Sequence, residues 1–183
     1  YADFDGGAGA RYQASREVTS IWYPIWLCYP AGMVEGSRVL DAPADGLDLA
    51  QTLAVAKGYD LVLIYTSTPS LPNDAGVAAA IKERNHSTVV GFCGPQPSVL
   101  PAETLEAAPA IDFVTRNEFD YTIKEIAEGA DLAEVPGVSY RRDGRILHTP
   151  DRPPITDLDA LPFVTRVYAR DLNIRNYNIP WLK

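Results

Sequence analysis

Histidine and cysteine each occur only twice in 183 residues, basic side chains are outnumbered by acidic ones, and no apolar run is long enough to cross a bilayer. Each shortage removes a class of function. Cys28 and Cys93 are too few and too far apart for a disulfide framework or a thiolate metal cluster. An iron–sulfur centre held by this chain alone is excluded on ligand count, because such clusters draw on four protein ligands and rarely fewer than three. Sixteen Lys and Arg against 24 Asp and Glu give a net charge of −8. That balance excludes nucleic acid as a partner, since phosphate-backbone binding rests on cationic side chains displacing counterions. The densest basic group, Arg141, Arg142 and Arg145, surrounds Asp143-Gly144 and reads as a solvated hairpin tip. The longest apolar stretch, "IWYPIWLCYP" at residues 21–30, carries two prolines, and no signal peptide precedes it. It reads as a core helix with Trp22, Trp26 and Tyr29 on one side, although the same side chains could touch lipid in a peripheral membrane contact. The expected compartment is the cytoplasm.

What is present is enough for a core. A chain of this length buries roughly 70% of the surface it exposes when unfolded. Residues 37–127 alternate short β-rich runs with helical ones. "SRVLDAP", "DLVLIYTS", "TVVGFC" and "IDFVTRN" read as strands. "LDLAQTLAVAKGY", "PNDAGVAAAIKERNHS", "AETLEAA" and "YTIKEIAEG" read as helices, with Val77 and Ile81 an i, i+4 pair and Asp120 the N-cap of the last. Continuous rather than alternating apolar strands are buried on both faces, which means a parallel sheet covered by helices. The fold class is α/β, a doubly wound Rossmann-like sheet of flavodoxin-type order with a C-terminal β-hairpin and linker.

In such sheets ligands bind beyond the carboxyl ends of the strands. The unusual residues gather there: Asp41-Ala42-Pro43, Thr66-Ser67-Thr68-Pro69, Gly91 to Ser98, and Arg116-Asn117-Glu118. The opposite turns, "AKGYD" and "RNHST", are plain connectors, so His86 reads as a surface residue. An opening glycine-rich segment, "DFDGGAGARYQ", has no strand before it, and the first strand is expected upstream of Tyr1. Its Gly7-x-Gly9 is followed by Tyr12 where a dinucleotide fingerprint has glycine, which makes a nicotinamide site a weak reading. Beyond the last helix, "GVSYRRDGRILHTP" reads as a hairpin turning at Asp143-Gly144, and the proline-rich "DRPPITDLDALP" reads as a stiff exit. Residues 163–183 show no core of their own. The partition expected is an α/β domain over 1–136, a hairpin over 137–149 and a linker over 150–183.

This arrangement resembles the cobalamin-binding-type domain that precedes the catalytic barrel of many radical SAM enzymes. In that family the strand matching "TVVGFC" runs into Gly-Gly-Pro-His-Pro-Thr, where this chain has Cys93, Gly94, Pro95, Gln96, Pro97 and Ser98. The next strand runs into Arg-Gly-Glu-Gly-Glu, matched by Arg116, Asn117, Glu118, Phe119 and Asp120. More narrowly, "DGGAGARYQASREV", "WYPIWL", "DAPADGL", "TSTPS", "AIDFVTRNEFD" and "LPFVTRVYARDL" resemble the hopanoid-biosynthesis radical SAM proteins of the cyclitol ether branch. The resemblance implies cobalamin bound by Thr66, Ser67, Thr68, Gly91, Cys93, Gly94, Pro95, Gln96 and Glu118. It further implies a radical SAM barrel in the same polypeptide, whose 4Fe-4S cluster and S-adenosylmethionine lie in a C-terminal domain beyond Lys183, and a hopanoid polyol or sugar as substrate. This chain would then be inactive by itself.

Departures from the family narrow the reading. Methionine-synthase-type domains place a histidine on cobalt through Asp-x-His-x-x-Gly, whereas the look-alike here, Asp41-Ala42-Pro43-Ala44-Asp45-Gly46, has proline at that position. Cobalamin would therefore bind without a protein imidazole on the metal. The alternative is a docking or substrate-gating domain that keeps the fold and binds no cobalamin. Cys93 reads as a small buried thiol, and Glu118 as either a helix-dipole partner or a ligand contact.

Overall fold

The computed structural model describes residues 22–177. The glycine-rich segment at residues 3–13 and the strand expected upstream of it lie outside the described residues. Two compact bodies emerge, one of residues 53–160 and one joining the residues up to Thr52 with those from Leu161 onward.

The larger body is built on a five-stranded sheet in the order β1 (Leu61–Tyr65), β2 (Val89–Cys93), β3 (Phe113–Thr115), β4 (Val138–Arg142) and β5 (Arg145–His148). The first two pairings are parallel, and the two that bring in the hairpin are antiparallel. The α/β class read from the alternation is correct. The described strands follow chain order, so no reversal of strand order falls among them. Helix α4 (Leu71–Arg84) crosses from β1 to β2, and α5 (Pro95–Val99) with α6 (Pro101–Ala107) crosses from β2 to β3. Helices α4 and α6 pack against each other, as right-handed crossovers between sequential parallel strands require. Val77 and Ile81 of α4 are buried together, as their spacing predicts.

Strands β2 and β3 are buried almost throughout, but every residue of β1 is only half-buried. The expectation of burial on both faces therefore fails at β1, which forms the edge of the described sheet. Helix α7 (Asp120–Ala127) follows β3, and its N-cap position is occupied by Phe119 without a side-chain cap. Asp120 is one residue inside the helix, a correction to its reading as the cap. The hairpin turns at Asp143 and Gly144, with φ of +52° and +72°, the pair of left-handed residues that a type I′ turn demands.

In the smaller body, α1 (Ile25–Met33) and α8 (Val164–Asp171) pack around Cys28, Val39, Val167 and Leu172. Residues 163–177 thus contribute to a core that their own sequence does not announce. Trp22 and Trp26 are 48% and 46% exposed, so they are not the buried stripe expected of the segment. Pro24 delays the helix until Ile25, and a helix apolar on every side carries no pattern that selects its buried face. Residues 37–41 of "SRVLDAP" form no strand among the described residues, and its last two residues are helical: the Val39 N–H donates to Asp171 Oδ2 at 2.8 Å. It leads into α2 (Ala42–Asp45), and α3 (Leu49–Ala56) runs from this body into the larger one. Among the described residues no helix is long and apolar enough to cross a membrane.

Candidate functional site

Three turns leave the carboxyl ends of β1, β2 and β3, and hydrogen bonds join them in series. The Thr66 N–H donates to Cys93 O at 2.7 Å, continuing the β1–β2 ladder past its last residue. Thr68 Oγ1 donates to Gln96 Oε1 at 2.6 Å, and the Asn117 N–H donates to Ser98 Oγ at 3.2 Å. Within the first turn, Ser70 Oγ accepts the Ser67 N–H at 2.9 Å. Thr66, Ser67, Thr68, Cys93, Gly94, Pro95, Gln96 and Glu118 therefore gather at one edge of the sheet.

Their exposure divides them. Thr66, Cys93, Gly94 and Gln96 are buried, Ser67 is half-buried, and Thr68, Pro95 and Glu118 face solvent. Gly94 has φ +108° and ψ −169°, a region open essentially to glycine alone. A Cβ there would come within 2.8 Å of Thr66 O and 3.1 Å of the Tyr65 ring. Its missing side chain is what lets the first two turns close on each other. Gly91 does not belong to the edge. It lies inside β2, where a Cβ would stand 2.2 Å from the Phe113 ring, so its small size serves packing between neighbouring strands. Glu118 Oε2 accepts the Ile155 N–H at 2.6 Å, tying the exit segment to the third turn. Asp41, Ala42 and Pro43 belong to the smaller body, where Asp41 Oδ2 accepts from Tyr177 Oη.

Arg116, matched to the family motif, is spent on structure. Its Nη1 donates to Val138 O at 2.6 Å and Ser139 Oγ at 2.7 Å, and its Nη2 to Thr149 O and Asp151 Oδ1. It holds the hairpin to the parallel part of the sheet and is not available to a ligand.

Sequence reasoning missed two polar groups beneath the turns. Asp74, in the first turn of α4, is 7% exposed, and its Oδ2 has no hydrogen-bond partner among the described residues. The same holds for Thr115 Oγ1, at the end of β3 and fully buried. Burial raises the Asp74 pKa, only partly offset by Ser70, Asn73 and Thr66 nearby. The Ser70 and Thr66 hydroxyls are directed to the carbonyls of Ser67, at 3.2 Å, and Ile64, at 3.5 Å. Neither completes a bond to Oδ2. Burial, with Glu118 adding to it, also raises the Asp120 carboxyl. Both acids act on Cys93: burial first, then Asp120 and Asp74, push its thiol well above the ordinary range. It is a neutral thiol at physiological pH, without nucleophilic character. An acid in a helix's first turn reads in sequence as a dipole partner; only the packing reveals that Asp74 is interior.

The family model for the B12 binding domain matches residues 14–127. The chain belongs to the B12-binding domain family. This B12-binding domain is 31% identical over 148 residues to an uncharacterized methyltransferase of Pyrococcus horikoshii, an alignment covering 76% of this chain and 32% of that protein. It is 25% identical over 165 residues to the anaerobic magnesium-protoporphyrin IX monomethyl ester cyclase of Rubrivivax gelatinosus, covering 82% of this chain and 30% of the cyclase. The chain thus spans about a third of the length of these curated relatives. Among solved structures, the cobalamin-dependent S-adenosylmethionine radical enzyme OxsB, with aqua-cobalamin and S-adenosylmethionine bound, superposes with a TM-score of 0.60 over 72% of this chain and 20% of that one, at 16% identity. The radical S-adenosylmethionine methyltransferase TsrM of Kitasatospora setae gives 0.56 over 67% of this chain and 27% of that one, at 18% identity. At these identities the likeness is one of fold.

The hydroxyl and amide side chains at this edge of the B12-binding domain fit an amide-rich ligand such as a corrinoid. Two buried polar atoms lack partners among the described residues, Asp74 Oδ2 in the first turn of α4 and Thr115 Oγ1 at the end of β3, and the Ser70, Asn73 and Thr66 side chains lie near Asp74. Neither histidine is near: His86 precedes β2 on the opposite edge, and His148 lies on β5, where its Nδ1 pairs with Ser139 Oγ at 2.8 Å. Both histidines of the chain are thereby accounted for away from the site. Among the described residues no group of three His, Cys, Asp or Glu could hold a metal ion.

Proposed function

We propose that this chain is the cobalamin-binding portion of a radical SAM enzyme, holding the cofactor beyond the carboxyl ends of β1, β2 and β3. The observation that carries the reading is the match of the B12-binding model across the strands whose exit turns bring Thr66–Thr68 to Cys93–Gln96. Bound there, a cobalamin supplies alkyl-transfer or electron-transfer chemistry at cobalt. This chain's part is to orient the ligand with Ser67, Thr68 and Gln96, to let backbone approach at Gly94, and to leave the metal without an imidazole.

The 4Fe-4S cluster, the S-adenosylmethionine and the barrel that would use them belong, in this proposal, to the remainder of the polypeptide. The two solved relatives named above are radical SAM enzymes by name, which supports the pairing of such domains. The finer reading, action on a hopanoid polyol or sugar, rests on the sequence resemblance of the segments quoted above. A peripheral membrane contact through the exposed Trp22 and Trp26 would suit a lipid substrate.

Titration of the full-length protein with hydroxocobalamin, followed by visible absorbance and calorimetry, tests the cofactor reading. A Kd below about 10 μM, near −7 kcal/mol, is expected. The absence of any spectral change at millimolar ligand would reject it in favour of a docking domain. Incubation of the reduced, cluster-loaded protein with S-adenosylmethionine and a hopanoid polyol tests the substrate: turnover dependent on the polyol is expected, and indifference to it would remove the hopanoid assignment.

A further inference from the structure

We propose that Asp74 is a binding residue of this site, giving an uncharged amide carbonyl of the bound corrinoid the hydrogen bond that its buried Oδ2 lacks. The inference rests on the cobalamin reading above and adds a residue that neither the motif resemblance nor the family match assigns.

Buried carboxylate oxygens almost always have a partner, because leaving one unmet costs the full desolvation of the group. Asp74 is more than nine-tenths buried, and only its Oδ1 is satisfied, by Asn73 Nδ2 at 3.3 Å. It lies in the first turn of α4, the helix into which the Thr66-Ser67-Thr68 turn leads, and Thr66 of that turn is among its neighbours. The groups around it come from three elements: Ser70 and Asn73 on its own helix and turn, Thr66 at the end of β1, and Cys93 at the end of β2. Cys93 in turn feels Asp120 of α7. Among the described residues these groups include no cation, and Arg116 is committed to the hairpin; the one positive charge that bears on Asp74 is that of the chain's amino terminus.

That surrounding selects the ligand chemistry. With two acids and no cation among the described groups that act on Asp74 and Cys93, a phosphate is disfavoured, whereas burial favours the neutral form of Asp74, whose O–H donates to a carbonyl. Corrinoids are ringed with amide side chains that offer such carbonyls. The donor is the protonated acid, so binding is strongest below its raised pKa and weakens as pH climbs through it.

The test titrates hydroxocobalamin into the full-length wild type, D74N and D74A across a pH series, with circular dichroism checking the fold. The wild type should bind, and D74A should lose about tenfold or more in affinity. D74N, which keeps a donor, should stay within about threefold. The wild-type affinity should fall with rising pH while that of D74N stays flat. If D74A does not fold, the flat D74N profile against the sloping wild type decides the matter. Wild-type and D74A affinities that agree, or identical pH profiles for wild type and D74N, would overturn the role of Asp74 and leave the cofactor reading intact. Wild type that binds nothing would overturn both.

Discussion

Two glycines three residues apart show how one residue type serves different ends. Gly91 makes room for the Phe113 ring, and Gly94 holds a backbone conformation that no other residue takes up comfortably. G91A should cost about 1–3 kcal/mol through overpacking against an immobile buried ring. It should leave cobalamin affinity unchanged for the folded fraction. G94A meets both backbone strain and the Thr66 carbonyl, so a loss of about 3 kcal/mol or more is expected, together with weakened binding. Urea midpoints and cobalamin titrations on the two variants check this; equal effects on binding would mean that Gly91 shares the site after all. In the sequence both are simply glycines beside a strand end. Telling them apart needs the register that sets Gly91 opposite Phe113, and register is a property of two strands together.

At the scale of elements, the parallel strands and the hairpin make one sheet because Arg116 spans the join. Its guanidinium satisfies two backbone carbonyls, a hydroxyl and a carboxylate. Removing it takes the side-chain donor from Thr149 O and Ser139 Oγ and leaves the Asp151 carboxylate without its ion pair, while Val138 O keeps the Thr149 N–H and hydroxyl. R116A should therefore lower stability by about 3 kcal/mol, and R116K should recover little, since an ammonium cannot reproduce the planar fork. Amide exchange in β4 and β5 should quicken in both. Exchange confined to the parallel strands would contradict the clamp.

The elements themselves were largely legible. Helices α4, α6 and α7, strands β1 to β3 and the Asp143-Gly144 turn follow from period and turn chemistry, which are local. Three features were not. Val39 has a strand's composition, but its N–H is claimed by a carboxylate 132 residues away in sequence. The aromatic segment at 21–30 is apolar all round and does not reveal its buried side. Asp74 looks like any acid at the start of a helix, and its isolation is created by packing. The common cause is that each depends on a distant partner, which composition and spacing do not encode.

For the whole molecule, acidity and scarcity of histidine shape what the protein can meet. With a net charge of −8, the proposed site would hold its ligand through hydroxyls, amides and shape rather than through cations. The same economy appears in the smaller body. Tyr23 is stacked between Tyr168 and Tyr177, each at 4.4 Å between ring centres, and Cys28 is sealed beneath Val167 and Leu172. The Pro162 ring lies against Gly32, where a Cβ would be 2.7 Å from Cγ. The last described segment is therefore a piece of the body that the first one begins. An expression boundary drawn after Ala160, where the hairpin and its exit are complete, would tear a lid from that body and leave its greasy underside in water. Such a shortened product should precipitate or bind ANS dye, while the longer one stays clear, and the difference would be visible in a test tube before any ligand is added.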